Sequence, residues 1–283
     1  MGPRQAVGVA AFAAAAAVLV ASVLLLGGFG WRGLSLNGLN WLGGTVVSGP
    51  PHTIHRTYAL NPGASLTVSA NASGVTLSVD PHAHGVHMTA RLYRGQAVTA
   101  THSGGALSLD EVGPGSLTVF GGKGTHIWLT VPPRLTVMAS LEAGSLNVSG
   151  HYTDVEVTAQ AGSVIGSALS ARTLNLSTQA GNVSVAGATG VEHLTLSSQA
   201  GDITYQGAVG QSGQVSAQAW SITLDLAPSR RVWVTAEATL GQVTSGYGAL
   251  ARGSGWIGRG SPTGRLTVTD SVGSVTIDPW SQT

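Results

Sequence analysis

From residue 139 to the end of the chain, apolar residues occupy alternate positions in short runs, and the runs recur. Val155 and Val157 flank Glu156, Leu174 and Leu176 flank Asn175, and Leu194 and Leu196 flank Thr195. A second set closes each repeat: Leu146/Val148 around Asn147, Val183/Val185 around Ser184, Ile203/Tyr205 around Thr204 and Ile222/Leu224 around Thr223. A period of two is that of a strand with one face in a core and the other in water. Between the runs stand Glu142-Ala143-Gly144-Ser145, Gln160-Ala161-Gly162-Ser163, Gln179-Ala180-Gly181-Asn182, Gln199-Ala200-Gly201-Asp202 and Gln218-Ala219-Trp220-Ser221. The four glycines are spaced by 18, 19 and 20 residues, and Trp220 takes the next slot, 19 further on. A fainter copy lies at Leu240-Gly241-Gln242-Val243 and a clear last one at Val272-Gly273-Ser274-Val275.

Two strands and two turns in about 19 residues make one coil of an all-β solenoid, a single-stranded β-helix. One coil cannot bury its own apolar face, so stacking on its neighbours supplies the core. Gly144, Gly162, Gly181 and Gly201 then form a turn ladder at φ > 0, where glycine has no steric penalty. The position after each glycine (Ser145, Ser163, Asn182, Asp202, with Ser221 after Trp220) would stack short polar side chains able to bond the local backbone. Residues 52–138 repeat less regularly but keep the strand pattern, as in Leu66-Thr67-Val68, Val75-Thr76-Leu77-Ser78-Val79, Leu107-Ser108-Leu109 and Ile127-Trp128-Leu129-Thr130-Val131. They read as irregular first coils before the regular repeats of 139–283. No stretch after residue 30 sustains a 3.6-residue period.

The N-terminus has another character. Ala6 to Leu26 is 21 residues without a charge, preceded by Arg4 and followed by Trp31-Arg32. About 20 apolar residues suffice for a membrane-spanning helix, while a signal-peptide core is usually about 7–15. Residues 1–32 therefore read as a transmembrane anchor or signal segment with the remainder extracytoplasmic. Cleavage near Gly30, within Gly28-Phe29-Gly30, is the alternative, giving a secreted chain. Residues 33–51, rich in Gly and Ser and closing on Pro50-Pro51, read as a spacer.

Composition narrows the functional classes. Only 9% of residues are charged and the net charge is +1, with the basic residues scattered along the chain. There is no basic stripe to neutralise a phosphate backbone, so no nucleic-acid partner is expected. With no cysteine, a disulfide scaffold, a thiolate metal site and a thiol nucleophile are all excluded.

The Gly-turn ladder, with Val131-Pro132-Pro133, Leu135-Thr136-Val137 and a closing coil from Leu266 to Ile277 after a Gly-rich stretch, resembles a bacterial β-helix family named "putative adhesin". That family is a domain of unknown function with tandem S-G-D-I-like turns, and the resemblance covers about residues 55–280. This chain departs from the pattern in that only Gly201-Asp202 keeps the acidic turn residue. The resemblance implies a right-handed β-helix and an envelope or adhesion role.

Catalytic chemistry finds little support. Glycoside hydrolysis needs two carboxyl groups about 5–9.5 Å apart. Glu142, Asp154, Glu156, Glu192, Asp202 and Asp225 fall at different positions of their coils, with Glu156 under Asn175 and Thr195. No G-x-S-x-G elbow occurs. Asp80, His82, His84 and His87 collect metal-ligating types, but Pro81 and Gly85 make the stretch a turn, so no metal or cofactor is expected.

The binding candidates are Tyr247, Arg252, Trp256 and Arg259, set among eight glycines in the insertion 241–264. Aromatic and arginine side chains on such a loop suit a glycan or a protein partner. Trp220, alone in a glycine slot, is a further candidate. The expectation is a non-enzymatic cell-envelope surface protein, an adhesin or scaffold, bound to the membrane through residues 6–26 and engaging an envelope glycan or a membrane protein. The alternatives are a component of envelope-stress signalling and a glycan-active β-helix enzyme.

Overall fold

The alternating runs fold as strands because their two faces meet different solvents. In Leu174–Leu176 and Leu194–Leu196 the leucines are at most 2% exposed, while Asn175 and Thr195 point outward. The computed structural model describes residues 50–280 apart from residues 94, 114–124, 229, 251–252 and 261. The expected anchor over residues 6–26 and all of the spacer before residue 50 lie outside the described residues. Among the described residues, no helix is long and apolar enough to cross a membrane.

The N-terminal region contributes β1 (His52–Ala59), β2 (Ser65–Ala70), β3 (Ser73–Val79), β4 (Gly85–Leu92), β5 (Ala97–Ser103), β6 (Ala106–Val112) and β7 (Thr125–Val131). Five regular coils follow, each as a pair. They are β8 (Thr136–Ala143) with β9 (Leu146–His151), β10 (Asp154–Ala161) with β11 (Val164–Ser170), and β12 (Thr173–Ala180) with β13 (Val183–Ala188). Next come β14 (His193–Ala200) with β15 (Ile203–Gly207) and β16 (Ser212–Ala219) with β17 (Ile222–Leu226). The C-terminal region adds β18 (Arg231–Leu240), β19 (Val243–Ser245), β20 (Ser254–Ile257), β21 (Pro262–Val272) and β22 (Val275–Pro279).

Each regular coil gives one strand to each of two 11-stranded sheets, whose orders are β1-β4-β7-β3-β9-β11-β13-β15-β17-β22-β19 and β20-β18-β21-β16-β14-β12-β10-β8-β2-β6-β5. Successive coils pair parallel and in register, so Glu156 lies beside Asn175 and Asn175 beside Thr195. The inner faces stack like on like: Val155, Leu174 and Leu194 in the second sheet, and Val164, Val183, Ile203 and Ile222 in the first. At roughly 1.5–3 kcal/mol for each buried aliphatic side chain, these columns are the main stabilising term.

Both ends wind out of chain order. At the N-terminal end β2 and β3 pack directly on the first regular coil, and β6 and β7 lie outside them. Antiparallel β4 and β1 then extend one sheet and antiparallel β5 extends the other. At the C-terminal end the chain overshoots: β18 and β19 form the outer coil, and β21 and β22 return to fill the gap above β16 and β17. The expected coil from Leu266 to Ile277 is therefore last in sequence but not outermost in space.

The turn ladder runs through the stack with Gly144, Gly162, Gly181, Gly201 and Gly273 at φ of 128°, 137°, 147°, 152° and 158°. Sterics and backbone conformation both demand glycine here, since a Cβ on Gly181 would stand 1.9 Å from the Gly162 carbonyl oxygen. Beside it, Asn182 Oδ1 accepts from the Asp202 amide at 2.9 Å and Asp202 Oδ1 from the Ser221 amide at 3.0 Å. Inside the same corner, Thr178 and Ser198 both donate to the Gly181 carbonyl oxygen, at 2.8 and 3.2 Å. Their column continues through Ala217 to Asp270, which is 2% exposed.

Candidate functional site

The C-terminal end collects the surface features suited to recognition. A cleft of about 420 Å³ lies where β17 and β22 finish, lined by Leu226, Pro228, Tyr247, Arg259, Pro279 and Trp280 among others. Tyr247 follows β19 and opens a short 3-10 turn at Gly248–Leu250. Three hydrogen bonds hold this segment: the Gly246 amide donates to Asp278 Oδ1 at 2.8 Å, the Tyr247 amide to Ser245 Oγ at 3.1 Å, and the Tyr247 hydroxyl to the Leu226 carbonyl at 2.6 Å. Burial pushes the Tyr247 phenol up to about 12, and the Asp278 and Asp225 charges add to the rise. The ring is therefore a fixed, neutral wall, and Arg259 is the exposed cation beside it.

Trp256 is not in that cleft. It sits on β20, directly opposite Trp233 of β18, on the outer face of the sheet. The two rings meet edge to face with centroids 5.3 Å apart, and the Arg231 guanidinium lies 5.1 Å from the Trp256 ring centroid. On the other side of Trp233, β21 brings Arg265, which is exposed. Beyond it the outer face carries rows of Thr and Gln: Thr235 pairs with Thr267, and Thr267 with Gln214. Such a face can stack the apolar side of a planar or ring-shaped group on indole and hold its polar edges with guanidinium and hydroxyl groups.

Of the four binding residues expected from the sequence, the fold brings Tyr247 and Arg259 to one cleft and sends Trp256 to the adjoining sheet face, while Arg252 lies outside the described residues. Trp233, Arg231, Arg265 and Trp280 were not among them. Trp233 did carry a signal, as an outward aromatic between the buried Val232 and Val234. The scatter of basic residues along the chain also gives way in space, because Arg230, Arg231, Arg259 and Arg265 fall at one end. Gly258 approaches the Arg230 carbonyl so closely that a Cβ there would stand 2.3 Å from it.

Trp220 takes a glycine place in the turn ladder with φ of 108° and is 60% exposed. It lies two coils from Trp233, with the β21–β22 coil between, and contributes to neither surface. The Asp80 stretch forms a turn, in which Asp80 Oδ1 accepts from the His82 amide at 2.9 Å, while His87 stands on β4 against the Thr57 hydroxyl. Among the described residues no three His, Cys, Asp or Glu side chains converge as metal ligands.

The chain is similar to solved structures at low identity. One is a "putative cell adhesion protein" from Clostridium sporogenes, 11% identical over 81% of this chain and 100% of that one, with a TM-score of 0.41. Another is a "putative adhesin" from Bacteroides fragilis, 14% identical over 80% of this chain and 97% of that one, with a TM-score of 0.41. A "putative lipid binding protein" from Parabacteroides distasonis is 10% identical over 81% of this chain and 97% of that one, with a TM-score of 0.36. No curated protein matches the chain. The in-register coils, the glycine ladder and a family model matching residues 62–277 together assign it: the chain belongs to the Toastrack DUF4097 family.

Proposed function

We propose that this chain is a non-enzymatic, extracytoplasmic binding protein, held at the membrane by residues 6–26, that engages a glycan of the cell envelope or a neighbouring surface through its C-terminal end. The observation that carries the reading is the half-buried Trp233–Trp256 pair on the outer face of β18 and β20, flanked by the exposed Arg231 and Arg265. Cross-strand aromatic pairing stabilises a sheet by itself, but it does not call for a second exposed arginine beside the pair, and aromatic and arginine side chains are the usual anchors of recognition surfaces. The uncharged run of 21 residues supports the anchor, and a rigid stack of coils suits presentation of a site away from a membrane.

The test is a pull-down of the full-length, detergent-solubilised chain on insoluble cell-wall polysaccharide, beside Trp256→Ala. Saturable binding by the wild-type chain, lost in a variant with unchanged circular dichroism, is the expected result. Absence of binding by the folded wild-type chain overturns the reading and moves attention to the anchor and spacer as a membrane-proximal signalling element.

A further inference from the structure

We infer that the ligand class of the C-terminal end is an acidic polysaccharide, one whose sugar rings carry carboxylate or other anionic groups; this rests on the glycan-binding reading above and deepens it. The first support is charge. Residues 229–266 hold five arginines (230, 231, 252, 259 and 265) and a single acid, Glu237. Because the chain nets +1 and this stretch nets +4, the remaining residues together net −3. Among the described residues the one salt bridge is Arg172 with Asp154, so none of Arg230, Arg231, Arg259 and Arg265 is held in one there.

Geometry is the second support. Arg231 stands over the Trp256 ring and Arg265 beside Trp233, which sets one cation against each indole on one sheet face. Neighbouring strands lie about 4.8 Å apart, so β18 and β21 present Arg231 and Arg265 as two separate cations to one extended ligand. Indole faces take the C–H side of a sugar ring, and the guanidinium fork takes a carboxylate bidentately. The row of Thr235, Thr267 and Gln214 continues the face with neutral hydrogen-bonding groups that fit hydroxyls. A neutral glycan would use the indoles and the Thr row and gain nothing from the charge of the guanidinium groups. A nucleic acid would call for basic residues tracking a backbone along the molecule, and here they stop at one end.

The experiment measures binding of the full-length, detergent-solubilised chain to hyaluronan, to neutral dextran and to an oligothymidylate, each at low and high salt. The variants are Arg231→Ala/Arg265→Ala, Arg231→Lys/Arg265→Lys and Trp256→Ala, with circular dichroism of each. The expected result is preference for hyaluronan over dextran by at least tenfold, weakening with salt. The alanine pair should lose about tenfold or more, the lysine pair less, and Trp256→Ala should weaken both sugars. Equal, salt-insensitive binding of dextran and hyaluronan overturns the acidic class and leaves glycan binding standing. No binding of any sugar by the folded chain overturns both. Oligothymidylate bound as tightly as hyaluronan overturns the choice of a glycan. An alanine pair that folds and binds hyaluronan unchanged removes the arginines from the site.

Discussion

A buried acid occupies the inner corner near each end of the solenoid, and the two are treated differently. At the N-terminal end Asp110 pairs with Ser69, which sets Glu111 in the corner column beside Ala70; it is 6% exposed. One of its oxygens, Oε2, accepts from the Asn71 amide at 3.0 Å and the Ala72 amide at 3.4 Å, while its own carbonyl accepts from the Asn71 side chain at 3.3 Å. At the C-terminal end Asp270 stands in that column at 2% exposure, and neither of its oxygens has a hydrogen-bond partner. Burial pushes its carboxyl above its ordinary value; the Val272 and Ser271 amides pull the other way without closing hydrogen bonds of good geometry. The Trp220 carbonyl is close by. A Cβ on Gly273 would stand 1.8 Å from the Trp220 carbonyl oxygen and 2.5 Å from Asp270 Oδ2.

The difference teaches what the corner asks of its occupant. Near Glu111 the turn offers amides, so an ionised carboxylate is satisfied. In the regular coils it offers the Gly181 carbonyl, and Thr178 and Ser198 answer with hydroxyl donors. Asp270 stands in the same column as Thr178 and Ser198, where a protonated carboxyl would donate as their hydroxyls do. One column therefore wants an acceptor at one end and a donor at the other.

The largest expected effect tests the satisfied end. Glu111→Ala strands the Asn71 and Ala72 amides and should lose about 2–4 kcal/mol in urea unfolding, because hydrogen bonds to charged groups are the stronger kind. Glu111→Gln, which keeps an acceptor, should lose less. A loss below about 1 kcal/mol for the alanine variant would put the two acids on equal footing and break the comparison.

At the other end Asp270→Ser should copy Ser198 and gain about 1–2 kcal/mol near neutral pH, by replacing an unpartnered buried carboxylate with a donor. A destabilised serine variant would mean that the carboxylate is held by contacts other than the turn carbonyl. The same substitution reads out pH. Because the folded carboxyl titrates above its ordinary value of 3.8, its stabilising contribution is fully present below that value. It is lost as pH rises through the folded value. Melting temperatures of wild type and Asp270→Ser should therefore converge as pH falls from neutral, and parallel curves would show that Asp270 does not titrate with folding.

The smallest effect concerns the turn beside Asp270. Trp220→Gly relieves a positive φ on a non-glycine residue and removes a side chain that is 60% exposed, so a gain of about 0.5–1 kcal/mol in thermal unfolding is expected. A loss of stability would sharpen the comparison in another direction, by showing that the indole covers this end of the ladder.

Much of the fold was legible in the amino-acid sequence. Residue alternation and the spacing of Gly144, Gly162, Gly181 and Gly201 determine strands, turns and in-register stacking, because each coil meets only its neighbours and the same contacts repeat. Tyr247 and Arg259 could be marked as surface candidates from the glycine-rich insertion, since outward aromatics and arginines on a loop have few structural uses. Winding order at the ends was not legible. A parallel coil pairs as readily with the second neighbour in sequence as with the first, and only the closing of both ends decides that β6 lies outside β2 and β21 inside β18. That decision brings Trp233 beside Arg265, gathers four arginines at one end and sets Asp270 near the Trp220 carbonyl, all of which depend on strands separated by tens of residues. Local pattern sets what each coil is, and only tertiary structure sets which coils become neighbours.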